Sequence, residues 1–325
     1  SFSKELSNVK GIDVLPLPKA MNSYGVFLQN RLQKEIKKEK DPFSLLNLAS
    51  HEHGAFIYVH PKQIIDTPIQ IIQITSGIAS PRLQIVINKG GKANFLHTLV
   101  SLGSGLINFS VDIAIEEKGV LSWQEACTVP ENTWYFSSMR ATLKKQANLN
   151  SFSFTTGSKS CRNRFAITLA DVEAACTLKG LSLLDQERQG HVHVLMEHAS
   201  PNCYSRQHFK SILKEKSRSS FEGKIHVHPK AIKTEAYQLT NHLLLSDQAS
   251  AYAKPNLQIF ADDVKASHGA TIAKLDEEEL FYLRSRGLSQ KDSMKLLALG
   301  FSEQHIKDVF LPIKEQIQKI LRETT

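Results

Sequence analysis

Three groups of residues in this chain have types and spacings that could carry chemistry. The densest runs from Phe260 to Thr271, FADDVKASHGAT, and sets two carboxylates (Asp262, Asp263), a lysine (Lys265) and an imidazole (His268) close together. It falls where a β-rich texture hands over to helices, and composition alone assigns it no reaction; a polar turn closing the last strand is the plain alternative. The second group is the histidine pairs His51/His53, His191/His193 and His226/His228. Residues two apart on a strand face the same side, so the latter two pairs could present two imidazoles to a metal. No cysteine or carboxylate stands at a matching spacing, and the structural reading is favoured. The third group is the cysteines Cys127, Cys161, Cys176 and Cys203. None forms a CxxC pair, and so few in a chain of this length do not make a disulfide framework, which points to a reducing compartment.

Other signatures are missing. There is no GxSxG elbow, no phosphate-binding P-loop, no HExxH zinc motif and no glycine-rich dinucleotide loop, which argues against a nucleotide hydrolase or a simple serine hydrolase. The net charge of +8 admits an acidic partner, but RLQKEIKKEK (Arg31 to Lys40) interleaves Glu with Lys as a solvated helix face does. A nucleic-acid site would ask for a basic stripe with stacking aromatics, so no nucleic-acid partner is expected. No run approaches the roughly 18 apolar residues of a membrane span, so no membrane partner is expected either. The opening SFSKEL lacks an initiator Met and a secretion-signal pattern, which points to an incomplete N-terminus.

The elements that must position these groups fall into three segments. Residues 1–48 read as helical or irregular: Pro16 and Pro18 interrupt the chain, Met21 to Lys40 reads as a charged helix stopped by Asp41-Pro42, and Phe43 to Ala49 as one further short helical turn. Residues 49–272 read as a many-stranded β core, with β-branched and aromatic runs punctuated by Gly, Asn, Lys and Pro. Within it Ala93, Val120, Ala147 and Ala174 open comparable segments, each 27 residues after the last, and Pro201 continues the series weakly. A period of this length predicts stacked rungs, because one rung cannot bury its own apolar face whereas stacked rungs share a core; a β-sandwich is the alternative. Cys176 and Cys203 keep the same spacing, which would put them in one column as a redox-sensitive or metal-sharing pair, although small core residues are the stronger reading.

Residues 273–325 read as a C-terminal helical domain. Asp276 caps a first helix closed by Gly287, Ser289 starts a second that ends at Gly300, and Ser302 begins a third that Pro312 should kink. Ile306, Val309, Phe310, Ile313, Ile317, Ile320 and Leu321 lie on one helical stripe, either core or a docking face.

Long ordered strings in this chain are shared with a known family. ADDVKASHGAT (261–271) with LDEEELFYLRSRG (275–287), GKIHVHPKAIKTEAYQLTNHLLLSDQA (Gly223–Ala249) and KPNLQIFADD (Lys254–Asp263) resemble the SufB/SufD family of iron–sulfur cluster assembly proteins, on its SufD branch. The dense resemblance spans about Ser217–Gly300.

The resemblance implies a mainly β fold, a right-handed parallel β-helix core flanked by N-terminal and C-terminal helical segments. It also implies a non-catalytic scaffold subunit of an ATP-dependent complex, paired with SufB as a heterodimer and carrying the ATPase SufC on its C-terminal helices. Docking would involve Leu280, Phe281, Tyr282, Arg284, Arg286, Leu296, Leu297 and Phe301. His268 would stand at the SufB interface as a metal ligand for a transient iron–sulfur cluster, with Asp262, Asp263 and Lys265 in weaker supporting roles. A reduced flavin could join the complex, no cofactor is expected tightly bound to the isolated chain, and the setting would be cytoplasmic, or a plastid in a photosynthetic eukaryote. Many members carry Cys before SHG where this chain has Ala266, so that thiolate is lacking. The competing readings are a SufB-like or homodimeric cluster carrier, a homodimer in isolation, and a β-helical carbohydrate-active enzyme, for which the repeats show few clustered carboxylates.

Overall fold

Strict alternation of side chains along nearly every strand decides the architecture. Odd-numbered residues of Val120–Val129 and of Leu106–Ile115 point into a shared core, while the even-numbered ones face outward. The computed structural model describes residues 9–51 and 53–324, so the opening SFSKEL lies outside it.

The chain winds as a parallel β-solenoid of about eight turns, with helices at both ends. Each rung gives one strand to each of two facing sheets. The first sheet runs β1 (Ile12–Pro16), β2 (Gly54–Val59), β5 (Arg82–Ile87), β7 (Leu106–Ile115), β9 (Trp134–Leu143), β11 (Ser160–Leu169), β13 (Gln189–His198), β15 (Arg218–Val227) and β17 (Ser250–Ile259), with β4 (Ile78–Ala79) beside β7. The second runs β3 (Ile69–Thr75), β6 (Lys92–Ser101), β8 (Val120–Val129), β10 (Asn148–Gly157), β12 (Ala175–Leu184), β14 (Tyr204–Leu213), β16 (Thr234–Leu244) and β18 (Val264–Lys274). All pairings are parallel except β1 with β2.

The repeat is real, but its length drifts. Val120 pairs with Lys92 and Asn148, Asn148 with Ala175, Ala175 with Tyr204, and Tyr204 with Glu235. The fixed 27-residue spacing therefore slips out of register after a rung or two. Cys176 pairs with Ser205, not Cys203, so those two cysteines do not share a column. The drift is absorbed at the corners, where one left-handed residue recurs per turn: Lys62, Gly90, Lys118, Gln146, Glu173, Asn202 and Lys233. Their amides bond to carbonyls of the next corner, for example Lys118 N–H to Lys145 O at 2.8 Å.

Helix α1 (Leu17–Lys38) starts one residue after Pro16 and holds Pro18 in its first turn, where proline is tolerated. Asp41 ends the connection by capping α2 (Pro42–Ser50), accepting from Ser44 N–H at 2.9 Å. Both helices lie on the outer face of the first sheet, α1 over Phe56, Val86 and Ala114. Between them a buried ion network seals the helix pair to the sheet. Arg82 binds Asp112, Arg140 reaches Asp112 at 2.7 Å and Glu39 at 3.1 Å, Arg164 reaches Glu39 at 3.1 Å, and Arg162 reaches Asp41 at 2.5 Å.

At the other end, α3 (Glu277–Ser285) is capped by Asp276, and Gly287 at φ +93° closes it. Helix α4 (Gln290–Ile306) runs through Gly300 instead of ending there, and α5 begins only at Leu311 (Leu311–Thr324). The reason is packing: Ala298, Ser302, His305 and Ile306 are buried on both sides of the glycine, which offsets the about 1 kcal/mol that an internal helical glycine costs. Pro312 accordingly sits in the first turn of α5, where it does not kink the helix. The stripe from Ile306 to Leu321 is core, covering Phe152, Phe154, Leu181 and Ile212 on the outer face of the second sheet.

Removing one partner from a buried ion pair leaves the other uncompensated. Asp112→Ala, which strands the fully buried Arg82, is therefore expected to lower unfolding stability by about 3–5 kcal/mol in urea titration. A change within the error of the titration would show that the network does not hold the N-terminal helices.

Candidate functional site

The last rung is where the fold runs out. β17 and β18 pair on one side only, with β15 and β16, so each presents an unpaired backbone edge. Exposed edges of parallel sheets are templates for another strand. Around them stand exposed apolar side chains: Tyr252 is 70% exposed, Phe260 54% and Ile272 46%.

His268 lies in the middle of β18, and its side chain is exposed. β18 is a strand and not the polar turn considered above. Its register follows the solenoid: Ala266 pairs with Ala236, His268 with Gln238 and Ala270 with Thr240. Gln238 and Ala236 face the interior, so His268 belongs to an interior column that ends at the open mouth. Ala266, in the neighbouring interior column, packs against the core, so a thiol at this position would point the same way.

The other residues of the SHG segment are placed apart from the ring. Lys265 is on the opposite, outward face and binds Glu235 at 3.1 Å. That ion pair raises the pKa of its ammonium. Asp262 and Asp263 are exposed at the corner before β18, where Asp263 O accepts from Lys233 N–H. At a strand rise of about 3.3 Å per residue, the corner is roughly 15 Å from His268. The structure thus does not bring the two carboxylates and the lysine to the imidazole.

The C-terminal helix residues divide into two sets. Phe281, 74% exposed, and Tyr282 project from α3, with the Arg286 guanidinium 5.2 Å from the Tyr282 ring centroid. With Arg284, Leu288 and the start of α4, Phe281 lines an open groove at the α3–α4 corner. Leu296 is exposed, and Leu280 and Leu297 are half-buried. Phe301 is turned toward the second sheet, where Lys210 Nζ donates to its carbonyl at 2.7 Å and lies 4.5 Å from its ring.

Among the described residues no group of three or more His, Cys, Asp or Glu is arranged to hold a metal ion. His191 bonds Ser220 at 2.7 Å, and His228 bonds Glu197 at 2.7 Å with the His226 ring edge-on at 4.7 Å. Both pairs sit half-buried on the outer face of the first sheet. His51 follows α2, its Nδ1 3.0 Å from Leu48 O. All four cysteines are buried and unpaired with one another. Burial pushes the Cys161 thiol up to about 12 and Cys203 to about 11, and raises Cys127 and Cys176 as well.

Sequence reasoning missed the interior polar residues beneath His268. Gln207 and Gln238 occupy successive rungs of its column; in TEAYQLTNHLL the large apolar residues Tyr237, Leu239 and Leu243 fall on the other face, so the strand's own pattern gave no signal that Gln238 is inside.

With this geometry in place, the comparisons are specific. A family profile described as "SUF system FeS cluster assembly, SufBD core domain" matches residues 71–301. The chain belongs to this SufBD family of iron–sulfur cluster assembly proteins. It is 30% identical over 246 residues to the iron–sulfur cluster assembly protein SufD of Escherichia coli, covering 73% of this chain and 58% of that protein. It is 24% identical over 326 residues to a SufBD family protein of Synechocystis, covering 95% and 72%, and 29% identical over 255 residues to SufD of Plasmodium falciparum, covering 75% and 17%. The chain thus spans less than two thirds of the E. coli relative. No helix among the described residues is long and apolar enough to cross a membrane.

Two solution properties follow. In the native protein none of the four thiols should react with a disulfide reagent at pH 8, and all four should react after unfolding; a native thiol that reacts at once would contradict the burial. Burial also holds the rings of His198 and His242 down at about 4 and that of His305 at about 3. These rings stay neutral in the folded chain but take up protons in the unfolded chain below its pKa of about 6.5. Stability is therefore lost as pH falls from about 6.5, by about 2 kcal/mol per ring at pH 5. His305→Gln should flatten the dependence, and equal urea midpoints at pH 7 and pH 5 would overturn this account.

Proposed function

We propose that this chain is the SufD-like scaffold subunit of a Suf complex, pairing with a SufB partner at its last rung and carrying the ATPase SufC on the α3–α4 corner. The observation that carries the reading is the open edge of β17 and β18, with His268 in the middle of the edge strand β18 and exposed apolar residues around it. A paired strand from another subunit would satisfy the free backbone groups and bury Tyr252, Phe260 and Ile272.

In this arrangement the iron–sulfur cluster is cargo formed between subunits. His268 contributes an imidazole from a rigid strand, a ligand suited to iron. Because the four thiols are buried with raised pKa values, the partner would supply the thiolate. Phe281 and Tyr282 offer an aromatic anchor with Arg284 and Arg286 at its rim, the residue types that dominate protein–protein hot spots. Helix α3 follows β18 after only Leu275 and Asp276, so movement of a protein held on α3 would be felt directly at the paired edge.

Co-expression with SufB and SufC, followed by purification and iron and sulfide analysis, tests the reading. The expected result is a ternary complex whose cluster yield falls at least about tenfold in His268→Ala, with the complex intact. Phe281→Ala with Tyr282→Ala should release SufC while SufB stays bound. Full cluster yield with His268→Ala would sink the role of the histidine. A stable cluster on the isolated chain would favour a SufB-like or homodimeric carrier instead.

A further inference from the structure

The interior column that ends at His268 is wholly polar over its last three rungs. In register it reads Trp123, Ser151, Leu178, Gln207, Gln238 and His268. The two glutamines are 1% and 2% exposed, so their amides are fully inside the core. Gln238 Nε2 donates to Gln207 Oε1 at 2.9 Å. The remaining ends, Gln207 Nε2 and Gln238 Oε1, have no hydrogen-bond partner.

Burying an unsatisfied amide acceptor is unfavourable by roughly 1–3 kcal/mol, so its presence directly below the last rung asks for an explanation. Space for this amide is also specifically provided. Gly223 on β15 faces Gln238 across the core, and a Cβ there would fall 2.2 Å from Gln238 Nε2. The two arms of a planar amide diverge; with Nε2 engaged to the rung below, Oε1 is left for the rung above. The residue in that position, one strand spacing of about 4.8 Å away, is His268, whose imidazole makes no hydrogen bond to a described residue.

We infer that Gln238 is a positioning residue for His268: its Oε1 accepts from Nδ1–H of the imidazole and so leaves Nε2 unprotonated and facing the open edge. This deepens the proposed role of His268 and rests on that reading for its functional meaning. A histidine ligates through a nitrogen that carries no proton, and which nitrogen is bare is set by the bond the other one makes. The polarity of the glutamine ladder matters for this reason. An acceptor at its top fixes the ligating tautomer, whereas a donor there would protonate the outward nitrogen. Gln207 holds the polarity by accepting from Gln238 Nε2, and Gly223 supplies the room.

The test is nitrogen NMR of the full chain labelled at histidine, read above the titration range of the ring, for wild type, Gln238→Leu and Gln238→Glu. Wild type should show His268 mainly in the Nδ1–H form. Gln238→Leu should shift the tautomer ratio roughly fivefold toward Nε2–H, the size expected of one hydrogen bond, while Gln238→Glu, which keeps an acceptor, should retain the wild-type ratio. Unchanged His198 and His242 resonances would certify that the core is intact, and if Gln238→Leu perturbs them, Gly223→Ala, which crowds the amide from the opposite sheet, gives the second reading. A wild-type ratio that survives both substitutions overturns the inference. Failure of the underlying reading is separate and looks different: His268→Ala would then leave cluster yield in the SufB–SufC complex untouched, whatever the tautomer.

Discussion

A parallel stack of strands cannot close on itself along its axis, so its backbone hydrogen bonds must end somewhere. At the N-terminal end the chain adds one antiparallel strand, β1 on β2, and lays α1 over the outer face, so the free edges there belong to β1 and, in the second sheet, to β3. At the C-terminal end nothing comparable occurs, and the chain leaves β18 for the outer face of the second sheet instead of crossing the mouth. Among the described residues, β17 and β18 thus remain parallel edge strands with no further strand paired to them. Every feature attributed to function here, from the exposed aromatics to His268, belongs to that second end or to the helices attached to it.

The two sets of helices are attached by different physics. The N-terminal pair is held by an apolar patch and by a buried charge network in which Glu39, Asp41 and Asp112 each meet guanidinium groups. Burial pushes the Asp41 carboxyl up, but the Ser44 amide and Arg162 and Arg164 outweigh it and hold it below its ordinary value. Helices α4 and α5 are held mostly by hydrocarbon, with a few hydrogen bonds such as His305 Nε2–H to Gly180 O at 3.0 Å. Ion networks fix geometry through directional contacts, whereas apolar faces tolerate small sliding.

Much of this was legible in the chain itself. Asp276, Gly287 and Ser289 bounded α3 and the start of α4 because capping is a local interaction of a few residues. The stripe from Ile306 to Leu321 marked an apolar face by its period, and packing on the second sheet decided that it is core and not a docking face. Repetition with polar turns gave stacked rungs, because only neighbouring rungs can bury such segments. What failed were inferences that needed exact length. The 27-residue spacing put Cys176 beside Cys203, yet corner residues absorb or add a position per turn and the true neighbour is Ser205. Likewise Gly300 looked like a helix end because glycine is locally unfavourable in a helix, and packing against the second sheet decided otherwise.

The sequence by itself determined the kind of core, the caps, and the ordered string around His268 by which the family is recognised. Tertiary structure alone decided which side chains of that string share a face. Lys265 and His268 are neighbours in sequence but occupy opposite faces of one strand, while Gln238, thirty residues earlier, lies directly beneath the histidine. The physical reason is that a strand's face depends on parity and a column depends on how many residues each turn uses. Neither quantity is fixed locally; both are set by the hydrogen-bond register of the whole stack.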